Sequence, residues 1–138
     1  MPGIVVGFDG TEGAKAALGE AVDLGKRLGE GLTVVFGFNA NPVGGEALDY
    51  WDALRKHGEG VLATALEEAK AAGVEVDSVI DEKSPSDALS EIAEERDASM
   101  IVVGSHGERP IKAAILGSTP HRLLHLSSRP VLVVRAAG

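Results

Sequence analysis

The amino-acid sequence predicts an α/β fold in which helices cover both faces of a five-stranded parallel sheet. Five short apolar segments, rich in β-branched residues, alternate with four segments whose apolar residues recur at helical spacing. This alternation is typical of a three-layer, doubly wound sheet with right-handed crossovers. Such sheets bind ligands at the carboxyl ends of their strands, so we expect the useful residues to follow the first, second and fourth strands.

The first strand, helix and second strand are predicted from local patterns. Residues 4–8 form a nearly continuous apolar run that ends at a turn, as expected for a strand buried on both faces. Residues 14–28 have helical spacing, with Thr11 available as N-cap. Residues 32–38 predict the second strand, and residues 39–45, rich in Asn, Gly and Pro, predict a loop.

The middle of the chain predicts two helices separated by a strand. Residues 46–72 carry an apolar stripe, although Gly58 and Gly60 weaken the helix prediction at its centre. Residues 74–80 predict the third strand. The third helix has a start signal that consists of an N-cap serine, a proline at the first helical position and an acid three residues after the cap. These residues are Ser84, Pro85 and Asp87, and the helix is expected to end near Arg96.

The last three elements follow the same alternation. Residues 100–103 predict a fourth buried strand, Thr119-Pro120 opens a fourth helix, and Val131–Val134 predicts a fifth strand. If this last strand forms an edge of the sheet, its apolar side chains and unpaired backbone favour pairing with a second copy of the chain. We therefore expect a homodimer through the C-terminal strand.

Composition narrows the classes of function. A length of 138 residues fits one domain, residues 1–138. The net charge of −8 argues against binding of nucleic acid or an anionic membrane surface. The absence of cysteine excludes disulfides, thiol catalysis and Cys-ligated metals. With no membrane span or signal peptide recognised, the expected location is the cytoplasm.

A glycine-rich motif follows the fourth strand. Gly104-Ser105-His106-Gly107 is separated by nine residues from Gly117-Ser118-Thr119 at the expected start of a helix. Glycines allow backbone amides to approach a ligand closely, and a helix N-terminus favours anions. Together the two turns suit a ribose and a polyphosphate, whereas either fragment alone is accounted for as an ordinary turn.

The motif resembles the nucleotide-binding signature of the universal stress protein family. The resemblance extends over essentially the whole chain and is carried by residues 7–11, 84–89, 101–107 and 129–134. It implies the strand order 3-2-1-4-5 of the adenine nucleotide alpha hydrolase-like fold, a homodimer, and ATP, with Mg²⁺, at the ends of the first and fourth strands. Pro110, and the sparse cations Arg109 and Lys112, depart from the pattern.

The resemblance also implies roles for individual residues. Asp9 corresponds to an acidic residue near the adenine and ribose, and Gly37 to the end of the second strand. The residues that correspond to the ribose and phosphate site are Val103, Gly104, His106, Gly107, Gly117, Ser118 and Thr119. No catalytic and no metal-binding residue is assigned.

Several of these residues have a second interpretation. Asp9 could shape its turn by accepting backbone hydrogen bonds, hold Mg²⁺, or do both. His106 could donate to a phosphate or be an exposed loop residue. Trp51 could cover an adenine, but aromatic residues at helical spacing usually pack in the core. His121 and His125 have the i, i+4 spacing of two metal ligands, but the missing third ligand argues against a metal site.

The sequence therefore predicts a dimeric, ATP-binding regulatory module of the stress response that acts on an unknown protein partner. It is a sensor more than a catalyst, with at most slow hydrolysis, because no arginine finger or dedicated base is recognised. The alternative is a nucleotide-independent interaction protein of the same fold, acting through its dimer surface. A phosphorylated receiver domain is disfavoured because Arg135 stands where its lysine is needed, and no motif of a P-loop or dinucleotide enzyme is present.

Overall fold

The computed structural model describes residues 3–38, 47–105 and 117–136. The elements, in chain order, are β1 (Ile4–Gly7), α1 (Glu12–Leu28), β2 (Leu32–Gly37), α2 (Ala47–Ala71), β3 (Val76–Asp81), α3 (Pro85–Glu95), β4 (Met100–Gly104), α4 (Ser118–Leu126) and β5 (Val131–Val134). The predicted alternation of strands and helices is confirmed.

The five strands form one parallel sheet in the order β3-β2-β1-β4-β5. This is the order that the resemblance implied. The chain winds outward from the central strand in one direction through β2 and β3, and then in the other through β4 and β5. The winding reverses between β1 and β4, so a cleft is expected at the carboxyl ends of these two strands.

Each face of the sheet has its own apolar core. On one face, Val6 of β1 and Val34 of β2 pack with the buried stripes of α1 and α2. On the other, Val5 of β1 packs with α3 and with Leu123 of α4. Because β1 is covered on both sides, its backbone is held rigidly and the residues that follow it are well positioned.

Helix α2 is continuous through the two glycines that weakened its prediction. A Cβ on Gly58 would lie 2.8 Å from the Phe36 ring, so the glycine lets the helix approach β2 closely. The ring of His57, which is exposed, contacts the same phenylalanine at 5.8 Å between centroids. Tertiary packing therefore outweighs the low helix propensity of glycine here.

The third strand begins two residues later than predicted, at Val76. Helix α2 ends at Ala71, and Gly73, whose φ is +80°, then turns the chain away from the helix. The amide of Val74 then donates to the carbonyl of Ala69 at 3.0 Å. Since this amide closes the helix end, it does not join the sheet.

Candidate functional site

A cleft of about 100 Å³ lies at the carboxyl ends of the strands. Its described lining residues come from the ends of β1, β2 and β4 and from the first turns of three helices. They are Gly7, Phe8, Asp9, Thr11, Ala14, Val35, Gly37, Pro85, Leu89, Val103, Gly104, Ser118, Thr119 and Pro120. The cleft therefore occupies the position that the winding reversal predicts.

Six of the predicted site residues line this cleft together: Asp9, Gly37, Val103, Gly104, Ser118 and Thr119. Gly117 is buried beside it, and its amide donates to the carbonyl of Ser105 at 2.7 Å. His106 and Gly107 lie outside the described residues, as do Arg109, Pro110 and Lys112.

Asp9 shapes the turn that joins β1 to α1. Its Oδ1 accepts hydrogen bonds from the amide of Thr11 at 3.0 Å and from the Thr11 hydroxyl at 2.6 Å. The same Thr11 oxygen caps α1 by accepting from the amide of Ala14 at 3.2 Å. Asp9 is exposed, and within the described part of the chain its Oδ2 accepts no hydrogen bond. The turn-shaping role is thus present, and one carboxylate oxygen stays available.

Gly104 allows two backbone segments to meet. A Cβ at this position would lie 2.6 Å from the carbonyl carbon of Gly13 and 2.7 Å from its oxygen. Gly13 belongs to the first turn of α1, so this turn passes directly over the end of β4. The sequence attributed Gly104 to ligand approach, whereas the structure adds a packing requirement that is independent of any ligand.

Gly37 has a similar role at the end of β2. A Cβ there would lie 2.8 Å from the Cα of Pro85 and 3.0 Å from the Lys83 carbonyl oxygen. Helix α3 can begin against the sheet only because Gly37 has no side chain. Gly104 and Gly37 therefore allow the first turns of α1 and α3 to approach the cleft.

The start of α4 differs from the starts of α1 and α3. Thr11 caps α1, and the hydroxyl of Ser84 caps α3 by accepting from the amide of Asp87. The N-cap of α4 is Gly117, which has no side chain to accept from the first amides. Ser118 and Thr119 are the first two helical residues, and both line the cleft. Their amides and hydroxyls form the part of this wall that favours an anion.

Other lining residues were not predicted from the sequence. Leu89 packs at the base of the cleft, where one of its methyl groups lies 3.0 Å from the Cβ position of Gly7. Thr11 was considered only as a helix cap. The apolar stripe of α3 indicated that Leu89 is buried, but its position below this cleft depends on how α3 crosses the sheet.

Trp51 is half-buried and is not among the described lining residues of the cleft. Its ring meets that of the buried Phe38 edge-on, with centroids 5.9 Å apart. The neighbouring Tyr50 is exposed. Trp51 therefore packs against the margin of the core, and its predicted place in the interior of the core is not observed.

A larger groove, about 1050 Å³, lies at the amino ends of the strands, on the side of the sheet opposite the cleft. Three of its polar side chains pair with one another. Arg96 Nη1 donates to Asp77 Oδ2 at 2.7 Å and to the Thr33 hydroxyl at 2.8 Å, and Thr33 donates to Asp77 Oδ1 at 2.9 Å. Size alone does not identify a site, and the smaller cleft combines the carboxyl ends of three strands with a helix start that no side chain caps.

Two properties of the described residues bear on the class of site. None of the helices in residues 3–38, 47–105 and 117–136 is long and apolar enough to span a membrane. Within the same ranges, His, Cys, Asp and Glu side chains form no group of three or more that could hold a metal ion.

The fold makes this chain a doubly wound α/β protein. Its cleft lies where the winding direction reverses, which is the usual position of a ligand in such proteins. The model of the universal stress protein family matches residues 2–135, and the chain belongs to this family. It is 29% identical to universal stress protein YxiE of Bacillus subtilis, over 96% of this chain and 97% of that protein.

Solved structures show the same fold. The structure of MJ0577, a universal stress protein of Methanocaldococcus jannaschii, superposes with a TM-score of 0.88 at 22% identity and covers 100% of this chain and 99% of that one. A universal stress protein solved in complex with cAMP superposes with a TM-score of 0.73 at 28% identity and covers 99% and 98%. The first likeness concerns the fold alone.

Proposed function

We propose that this chain binds ATP with Mg²⁺ in the carboxyl-end cleft and serves as a homodimeric regulatory module of the stress response. The observation that carries the proposal is the convergence of three strand ends and the uncapped start of α4 on one cleft. A related protein solved with cAMP supports an adenine nucleotide as the class of ligand.

The phosphates are assigned to the start of α4. Ser118 and Thr119 offer two backbone amides and two hydroxyls, and the helix dipole adds a partial positive charge at this end. Pro120, at the third helical position, has no amide to contribute. Gly117 holds this turn against β4 through its hydrogen bond to Ser105, so the donors are positioned before a ligand arrives.

The base and ribose are assigned to the strand ends. Val103 and Leu89, which are both buried, form an apolar base for this part of the cleft, and Gly37 lines it at the neighbouring strand end. Asp9 lies on the same wall, exposed, with Oδ2 available for a ribose hydroxyl. This oxygen is also the kind of ligand that Mg²⁺ prefers, and the ion would neutralise charge on the phosphates.

The composition of the cleft supports a binding role over rapid catalysis. Its described lining residues include no Lys, Arg or His. Phosphoryl transfer needs positive charge placed on the transferred group and an oriented water. We therefore assign at most slow hydrolysis, with bound ATP acting as a signal to a protein partner.

The two edges of the sheet support dimerisation through β5. The β3 edge carries Asp77 and Asp81, which discourage pairing, whereas β5 is entirely apolar. Large apolar side chains are exposed on β5 and on the preceding helix α4: Leu132 of β5 is 38% exposed, and Leu124 and Leu126 of α4 are 59% and 45% exposed. A second copy would cover these side chains and complete the sheet.

Two observations favour the nucleotide-independent alternative. The cleft volume of about 100 Å³ is smaller than the ~300–1,000 Å³ of typical ligand pockets. In addition, Gly37 and Gly104 are explained by close backbone contacts without any ligand. An interaction protein of the same fold would keep both features.

Ser118→Asp tests the nucleotide proposal. An acid in the first turn favours the helix, so stability should be retained, while its charge repels phosphates. At ~5 Å and an effective dielectric of ~20, each pair of unit charges costs about 3 kcal/mol. Allowing for solvent screening, calorimetry with ATP and Mg²⁺ should show at least a tenfold loss of affinity, ~1.4 kcal/mol.

Ser118→Asn is the matched control, because it has nearly the same shape without the charge. Its affinity should stay within about threefold of the unmodified protein, ~0.6 kcal/mol. Equal ATP affinities of Ser118→Asp and Ser118→Asn would show that the phosphates do not bind at the start of α4. No binding of ATP, ADP or AMP by the unmodified protein would establish the alternative.

A further inference from the structure

Two histidines lie side by side on α4, away from the cleft lining. The ring centroids of His121 and His125 are 5.4 Å apart, with planes inclined at 72°. Both side chains are exposed, and within the described part of the chain neither ring nitrogen makes a hydrogen bond or ion pair. Within the described ranges, nothing competes with a ligand for these two rings.

The ring separation fits coordination of one metal ion by both imidazoles. Metal–nitrogen bonds of ~2.0–2.1 Å at a tetrahedral angle place the centroids of two coordinated rings about 5 Å apart. The observed 5.4 Å is close to this value, so both rings are within reach of one ion once side-chain rotation turns a nitrogen of each toward it. Helical spacing of four residues keeps both rings on one face without backbone movement.

Among the described residues, the cation next to the pair in the sequence does not oppose metal binding. Arg122 stands between the two histidines in sequence, but it turns toward α3, where its Nη2 lies 3.6 Å from Asp87 Oδ1. The chain as a whole carries a net charge of −8, which favours approach of cations.

We propose that His121 and His125 form a two-ligand chelate for a divalent transition metal of the Zn²⁺ and Cu²⁺ type. Imidazole nitrogens suit these ions, whereas Mg²⁺ prefers oxygen and should not compete. The sequence argued against a metal site because a third protein ligand is missing. Two ligands leave the remaining positions to water or an external donor, so the bound metal is exchangeable and not structural. By binding the helical form of α4, it stabilises that helix by mass action.

Calorimetry of the tag-free protein with CuCl₂ and with ZnCl₂ at neutral pH tests this chelate. We expect one ion per chain at this site, with Cu²⁺ bound more tightly than Zn²⁺ and no heat from MgCl₂. His121→Ala and His125→Ala should each lower the Cu²⁺ affinity at least tenfold, because either change leaves one ligand. His57→Ala removes another exposed histidine and should leave the affinity unchanged.

Spectroscopy gives a second measurement that does not depend on affinity. The paramagnetic resonance spectrum of the Cu²⁺ complex should show two coordinated imidazole nitrogens in the unmodified protein and one in either single variant. Circular dichroism checks that the variants fold. The proposal is overturned if no saturable binding occurs up to about 1 mM Cu²⁺, if only one of the two variants loses affinity, or if His57→Ala loses as much.

Discussion

Replacing Gly104 with alanine separates the packing role of this glycine from any role in ligand binding. The new Cβ would lie 2.6 Å from the carbonyl carbon of Gly13 and 2.7 Å from its oxygen. Both atoms belong to backbone in the first turn of α1. No side-chain rotation can relieve these contacts, so α1 or β4 must shift.

The size of the effect follows from the identity of the contacted atoms. Overpacking a core typically costs ~1–3 kcal/mol, and a clash with fixed backbone falls in the upper part of that range. We expect the free energy of unfolding to fall by about 2–3 kcal/mol. For a chain of this length the melting temperature should drop by roughly 8–12 °C, at ~4 °C for each kcal/mol.

Urea unfolding followed by circular dichroism measures this loss without any nucleotide present. Gly60→Ala is the matched control, because this glycine lies in the interior of α2 and a Cβ there would meet nothing within 4 Å. Alanine has the higher helix propensity, so this variant should gain up to ~1 kcal/mol. Replacing glycine with alanine is therefore expected to lower the free energy of unfolding at position 104 and to raise it at position 60.

Unchanged stability of Gly104→Ala would refute the packing argument. The glycine would then be free to serve the ligand alone, as the sequence motif first suggested. A loss of nucleotide affinity in this variant would be ambiguous in either case, since a displaced α1 also moves Asp9. For that reason Ser118, which is exposed, provides the cleaner test of the phosphate site.

Two further predictions concern the dimer and an ion pair. Leu132→Lys places a charge on the exposed β5 edge and should convert the proposed dimer to monomer in sedimentation. Leu28→Lys, at an exposed site on α1, should leave the sedimentation unchanged, and a dimer that survives Leu132→Lys would exclude this interface. The hydrogen bond that Lys83 donates to Glu91 raises the pKa of Lys83 above its ordinary value of 10.5. The stability that this bond adds is fully present below pH 10.5 and is lost as pH rises through the raised pKa. Urea midpoints of the unmodified protein and Lys83→Met should converge over this range, and a difference that stays constant from about pH 9 to 12 would contradict the assignment.

The amino-acid sequence by itself determined the order of the elements and most of their boundaries. Periodicity, caps and turn residues act over a few positions, so they can be interpreted without three-dimensional information. The Thr11 and Ser84 caps and the edge strand Val131–Val134 were predicted in this way and are observed. The strand order and the roles of the individual site residues came from the family resemblance. The parallel sheet itself indicated only that the useful residues follow the first, second and fourth strands.

The reason why particular residues occupy their positions depends on the tertiary structure. Gly104 meets Gly13, Gly37 meets Pro85, and Gly58 meets Phe36, and each contact joins segments that are distant in the sequence. The distance between the rings of His121 and His125 likewise depends on side-chain rotamers that helical spacing does not determine. Close approaches of this kind arise from how helices cross a sheet, and that crossing depends on the whole core and not on any local pattern.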